Sequence, residues 1–289
     1  MWHSLSVMLV SPAFDSVAVF AFGLVVGSFL NVCIWRLPKG ESIVRPASKC
    51  PACGARIQPY DNIPLINWLV LGGKCRKCRA RISALYPAVE LLTGLLFVAC
   101  YLTFGFTVAA AKWAVFSALL VVLIIIDARE RILPDGVNFT GLGLALAFSL
   151  FSGPADGTAR WLANKIFAYP PPGAALGLVD ALLGAAVGSG LLWVVAEGYF
   201  RLRGREGMGL GDVKMMAMAG AFLGLKQTLL TILAGSLLGS VAGLVMIGLW
   251  KKGSDYELPF GTFLGGAALL VLYFGGPLLE WYTRLLTVP

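Results

Sequence analysis

Two aspartates carry the chemistry this sequence offers. Asp212 stands in Met208-Gly209-Leu210-Gly211-Asp212-Val213-Lys214, after two glycines, where a polar loop re-enters an apolar helix. Asp127 closes the apolar run 119–126. Two carboxyls that meet at a membrane boundary can share one proton, one ionised to activate water and the other protonated to polarise a scissile carbonyl. Like charges at close range resist double ionisation, so such a pair titrates as a unit. The expected chemistry is hydrolysis of a peptide bond by a membrane-embedded aspartyl protease.

The residues around the pair have their own reasons. Gly209 and Gly211 remove side chains beside Asp212, which admits an extended substrate backbone, and they permit backbone angles that other residues resist. A G-x-G-D string alone equally fits a glycine turn capped by an aspartate. Its placement against a second boundary carboxylate gives it weight. Asp212 opens a helix and Asp127 ends one, so the macrodipoles predict the anion at Asp212 and the proton at Asp127.

Four cysteines form a second constellation. Cys50-Pro51-Ala52-Cys53 and Cys75-Arg76-Lys77-Cys78 are separated by 21 residues. Two C-x-x-C knuckles can present four thiolates tetrahedrally, a donor set that suits a closed structural zinc site. Four thiolates on Zn2+ leave a net negative charge, which Lys49, Lys74, Arg76, Lys77 and Arg79 can offset. A redox dithiol would need only one pair, and a reducing cytosol disfavours disulfides. Cys33 and Cys100 sit inside apolar runs and read as packing residues. The only histidine, His3, lies beside the amino terminus, which excludes an H-E-x-x-H zinc protease and a triad built on an internal histidine.

The elements that must position these groups are membrane helices. The chain has 289 residues, 58% hydrophobic and 13% charged, and its charges cluster between apolar runs. Segments at 16–35, 88–106, 108–126, 137–151, 176–195, 213–225, 228–250 and 260–279 predict about eight transmembrane helices, two of them short. Between Arg36 and Ile82 ten Lys/Arg face Glu41 and Asp61, which accounts for the whole net charge of +8. A basic loop beside a span is cytoplasmic by the positive-inside rule, and it attracts anionic lipid rather than nucleic acid. No Lys or Arg precedes the first span, so no cleaved signal peptide is indicated.

Several smaller features accompany that frame. Gly27 and Ser28 permit close helix packing, and Asn31 can hydrogen-bond a neighbouring helix. Glu90 is an intramembrane carboxylate, as apt for a structural hydrogen bond as for function. Asp180 reads as capped or paired, and the stretch 152–173, with Pro170-Pro171-Pro172, as an extended or surface-lying connection. The apolar patch 65–71 suits a position on the membrane surface.

Together the motifs resemble the bacterial type IV prepilin peptidases, the bifunctional leader peptidase/N-methyltransferase family of GxGD aspartyl proteases. The likeness runs through Gly27-Ser28-Phe29-Leu30-Asn31, both cysteine pairs, Tyr60-Asp61-Asn62-Ile63-Pro64 and Gly73-Lys74-Cys75. It continues through Tyr86-Pro87, Glu90-Leu91-Leu92-Thr93-Gly94, Asp127 with Leu133-Pro134-Asp135, and Gly209-Leu210-Gly211-Asp212-Val213-Lys214. The resemblance implies an all-α polytopic protein of the bacterial cytoplasmic membrane with its active site facing the cytoplasm. Residues 1–106 would hold the first helix, a zinc-binding methyltransferase loop at 36–84 and the second helix; residues 107–289 would form a six-helix peptidase. It implies Asp127 and Asp212 as the catalytic pair, with prepilins and type II secretion pseudopilins as substrates. It also implies S-adenosylmethionine as methyl donor for the new amino terminus, with Gly73 and Glu90 as candidate residues of that part. No nucleotide-binding fingerprint accompanies them. Two other readings stay open: a zinc-stabilised transporter or channel, whose broken helices and buried acids look similar, and a peptidase without methyltransferase activity.

Overall fold

A backbone that must satisfy its polar groups in lipid has helices or closed barrels to choose from, and this chain takes helices. The computed structural model describes residues 12–166, 171–205, 207–250 and 258–287. Among the described residues there are ten α-helices and no strand beyond the isolated bridges Lys49–Arg56 and Lys74–Arg81. His3, Pro170 and the Lys251-Lys252 pair lie outside the described residues.

The chain divides into two compact units, the first ending at Ala118 and the second starting at Leu119. The first holds α1 (Pro12–Arg36), α2 (Ile66–Val70), α3 (Leu85–Phe104) and the opening of α4 (Val108–Glu130). α1 and α3 pack closely: a Cβ on Gly27 would lie 2.7 Å from the Glu90 Cα. The Asn31 amide donates to the Tyr86 carbonyl at 3.0 Å, the inter-helix bond expected of it.

The second unit contains the rest of α4 and α5 (Asp135–Ser152), α6 (Thr158–Ile166), α7 (Gly173–Arg203), α8 (Leu210–Leu223), α9 (Leu225–Trp250) and α10 (Phe260–Thr287). α8 is its centre, packed against α5, α7, α9 and α10. Met215, Met216, Met218, Phe222 and Leu223 have no exposed surface. Gly184 on α7 and Gly220 on α8 bring the two backbones into contact, since a Cβ on either would lie 2.1 Å from the other's carbonyl oxygen.

Among the described residues, six helices are long and apolar enough to cross a bilayer. The expectation of about eight crossings is therefore not confirmed. The two short runs at 137–151 and 213–225 are α5 and α8, neither of which is among the six. At 1.5 Å per residue, the 14 residues of α8 extend only about 21 Å, against roughly 30 Å of hydrocarbon. A helix apolar all round is either lipid-facing or buried in protein. Its neighbours make α8 the second kind.

The connection before α7 is partly helical, because α6 forms within it. Asp180, fully buried, accepts the Asp156 N–H at 3.0 Å and the Ala159 N–H at 2.9 Å. It caps the start of α6, in keeping with a paired structural role.

Candidate active site

α4 continues past Asp127 to Glu130, so the aspartate sits in the last turn rather than at the helix end. Arg131 turns the chain out with φ 55°, its N–H closing on the Asp127 carbonyl at 2.9 Å. Leu133 follows, Pro134 caps α5, and Asp135 is the first residue of that helix. Asp212 is the third residue of α8, its N–H bonded to the Gly209 carbonyl at 3.2 Å.

The glycines act differently from one another and from expectation. Gly209 has φ −74° and ψ 145°, an ordinary extended conformation. Gly211 is likewise outside the left-handed region. Their conformational freedom is therefore not used. Space is: a Cβ on Gly211 would meet the Leu133 Cβ at 3.0 Å, whereas a Cβ on Gly209 would meet nothing nearer than 3.8 Å. Gly211 lets the α4–α5 turn lie against α8, and Gly209 leaves the flank of Asp212 open.

The first turn of α10 completes the site. A Cβ on Gly261 would stand 3.0 Å from Asp212 Oδ1 and 3.2 Å from Asp127 Cγ. Both carboxyls thus lie within 3.2 Å of one point, close enough to share a water between them. Beside it, the Thr262 N–H donates to Asp127 Oδ2 at 2.6 Å and the Thr262 hydroxyl donates to the same oxygen at 2.8 Å. Neither Gly261 nor Thr262 was among the residues the sequence singled out. Pro259 before an apolar run announces a helix start, but nothing local tells that this start meets a carboxylate 135 residues away.

Both acids are largely sequestered, with Asp127 4% and Asp212 7% exposed. Asp212 lies outside the six membrane-length helices. Burial first, and then the nearby Asp127 charge, push its carboxyl up to about 7 against a hydrogen bond from the Gly209 backbone. Its Oδ1 has no hydrogen-bond partner within the protein. Just beyond, Lys214 Nζ pairs with both oxygens of Asp135 at 2.8 Å, tying α8 to the start of α5. That pair is half exposed, so it orients more than it stabilises.

The four knuckle cysteines converge in the first unit. Their sulfurs lie within 4.8 Å of one another, and Cys50 and Cys78 are 3.8 Å apart. A tetrahedron of sulfurs at Zn–S distances of about 2.3 Å has edges of about 3.8 Å, so the donor set fits a tetrahedral soft cation. The two knuckles repeat one another: Gly54 N–H to Cys50 O at 2.9 Å matches Arg79 N–H to Cys75 O at 3.0 Å. Gly54 and Arg79 take the same left-handed position, at φ 68° and 61°. The Cys78 and Lys77 backbone N–H groups pull Cys75 down to about 6. Cys78 moves to about 11: the Ala80 N–H acts to lower it, but desolvation and the Cys53, Cys75 and Cys50 thiols outweigh that bond. One thiolate among thiols is tolerated; four need a cation.

Gly73 and Glu90 shape the same loop. Gly73, at φ 65°, packs on Trp68 and accepts the Ile82 N–H at 2.7 Å. Glu90 is buried in α3, and its Oε2 accepts the Leu65 N–H at 2.9 Å, holding the loop between the knuckles. Asp61 of that loop is clasped by Arg76, whose Nε and NH2 donate to its carboxylate at 2.6 to 3.0 Å. Ile66, Leu69 and Val70 of α2 form the exposed apolar patch.

Comparison with known proteins adds what geometry cannot. Residues 21–104 match the bacterial peptidase A24 N-terminal domain, and residues 114–244 match the type IV leader peptidase family. A prepilin leader peptidase/N-methyltransferase of Pseudomonas aeruginosa is 37% identical over 91% of this chain and 91% of its own length. One from Myxococcus xanthus is 39% identical over the whole of this chain and 81% of its own. One from Aeromonas salmonicida is 36% identical over 91% and 92%. No solved structure matches.

Proposed function

From the premise that the chain belongs to the type IV leader peptidase family, we propose that it cuts the leader from type IV prepilins and methylates the amino terminus so exposed. The observation that carries the peptidase reading is the convergence of Asp127 and Asp212 on the Gly261 backbone. In the proposed reaction a water between the carboxyls loses a proton to the ionised member while its oxygen attacks the scissile carbonyl carbon. The protonated member donates to the carbonyl oxygen. The tetrahedral intermediate then collapses: the departing nitrogen takes a proton from one carboxyl as the C–N bond breaks, and a hydroxyl of the intermediate returns a proton to the other, which restores the singly protonated pair. Exclusion of bulk water strengthens each of these charge interactions.

Type II secretion pseudopilins are included as substrates, and the setting is the bacterial cytoplasmic membrane with the site facing the cytoplasm. The excess of Lys/Arg over 36–82, and Arg201, Arg203 and Arg205 after α7, support that orientation. Cys50, Cys53, Cys75 and Cys78 would hold zinc, which supplies folding energy to a loop too small to build its own core. Such a closed four-thiolate site leaves no position for substrate. S-adenosylmethionine supplies the methyl group. Glu90 is engaged with the loop, and the open cleft bordered by Arg45, Lys49 and Arg56 has the wrong sign for a sulfonium. The residues therefore do not fit a donor pocket there, and the methyl transfer rests on family membership.

The test is purified protein in bilayers with a prepilin, with and without S-adenosylmethionine, read by product mass. Leader loss and one added methyl are expected. Asp127→Asn and Asp212→Asn, inserted and folded, should each cut cleavage by at least about a hundredfold. Substantial cleavage by either variant would overturn the dyad.

A further inference from the structure

We propose that Thr262 is a positioning residue that makes Asp127 the ionised member of the pair and leaves the shared proton on Asp212. The inference rests on the peptidase reading above and deepens it.

One oxygen of Asp127 receives two donors from one residue, the Thr262 N–H at 2.6 Å and its hydroxyl at 2.8 Å. The hydroxyl has a single hydrogen, and its other acceptor, the Ile124 carbonyl, is farther at 3.3 Å. Donors aimed at a carboxylate favour its charged form. They come from the first turn of α10, at the positive end of a 28-residue helix; the Thr262 N–H is shared with the Pro259 carbonyl at 3.2 Å, and Asp127 is the nearer acceptor. The negative end of α4 also reaches Asp127, but it is met through space by the positive end of α10. Asp212 has no such donor pair: its Oδ1 is buried and unpartnered. An unpartnered oxygen beside the shared water is where a carboxylic proton can face substrate. The elevated titration of Asp212, near 7, agrees with that placement.

The charged groups around the dyad do not reverse the assignment. Arg131, on the turn after α4, adds a positive charge that acts on Asp127. Lys214 of α8 is paired with Asp135 of α5. The charge that acts on Asp212 is that of Asp127. This reverses the sequence-based expectation, which set only the helices' own dipoles against each other.

The proposal separates the two limbs of the pH profile of kcat/KM. The acid limb reports the first proton leaving the pair, the alkaline limb the second. If Asp127 bears the charge in the active monoanion, the hydroxyl stabilises monoanion and dianion alike. Thr262→Val should then raise the acid limb by about one pH unit and leave the alkaline limb in place. Thr262→Ser, which keeps the hydroxyl, should restore the wild-type acid limb. If Asp212 bears the charge, the hydroxyl counts only in the dianion, and Thr262→Val would raise the alkaline limb alone. That result, or two unmoved limbs, overturns the proposal. Thr262→Ala, which inserts no bulk, carries the same test if the valine variant does not fold. Failure of the reading beneath it looks different: wild-type protein would then release no leader and give no profile, or Asp127→Asn and Asp212→Asn would still cleave and the dyad itself would fall.

Discussion

At the residue scale, the site turns on a hydrogen atom. Gly261 faces both carboxyls, and the methyl of an alanine there would sit 2.8 Å from Leu133 Cδ1 as well as 3.0 Å from Asp212 Oδ1. Such contacts are closer than packed atoms tolerate, so either the aspartates part or the α4–α5 turn shifts. Misplacing reacting groups by an ångström costs on the order of a hundredfold in rate. Gly261→Ala should therefore lose at least tenfold in kcat while losing about 1–3 kcal/mol of stability, the usual cost of overpacking. Cleavage kinetics beside a thermal melt in the same detergent checks this. Gly209→Ala is the contrast, since its Cβ meets only ordinary contacts at 3.8 Å and its backbone needs no glycine; near-normal folding is expected of it. Both glycines of the G-x-G-D stretch are plain in the sequence, yet their reasons are not. Only the packed turn shows that Gly211 makes room for Leu133 and that neither needs unusual angles.

At the scale of elements, the two cysteine knuckles behave as one unit built twice. Each closes the same turn, each ends in an isolated bridge, and each sets its fifth residue in the left-handed region. Spacing made the four-cysteine cluster legible because a C-x-x-C turn is local and brings its two sulfurs to one side of the chain. Cys50→Ser or Cys78→Ser should release the metal and expose loop 36–84 to protease. Metal content by atomic emission and limited proteolysis would read this, and unchanged zinc would refute the four-thiolate site. α8 teaches the opposite lesson. Its apolar run reads as a short span, but apolar sequence is equally at home in lipid or against other helices. The neighbours that bury it on every side are contributed by α5, α7, α9 and α10.

For the molecule as a whole, what matters is that two carboxyls are held in a mostly dry site. Asp212 titrates near 7, raised by burial and by the Asp127 charge. A raised carboxyl keeps its proton below that pH and loses it above, and the dyad needs one proton to polarise the scissile carbonyl. Leader cleavage should therefore decline as pH rises through about 7, with the inactive dianion accumulating. Profiles of kcat/KM measured in bilayers would show that limb; activity undiminished to pH 9 would separate Asp212 from the proton-donating role.

Composition and spacing by themselves determined the helical class, the membrane-length apolar runs and the metal-ready cysteines, and they singled out the two acids that the fold brings together. These are properties of residue types and short intervals, which act before any tertiary contact exists. The fold decided which apolar runs are core rather than span and why Gly211 is small, and it carries the proposal for where the proton in the pair resides. That proposal depends on α10 arriving at Asp127 with two donors from Thr262. A dipole computed along the chain misses a helix that approaches through space, because electrostatic energy follows distance and not sequence order.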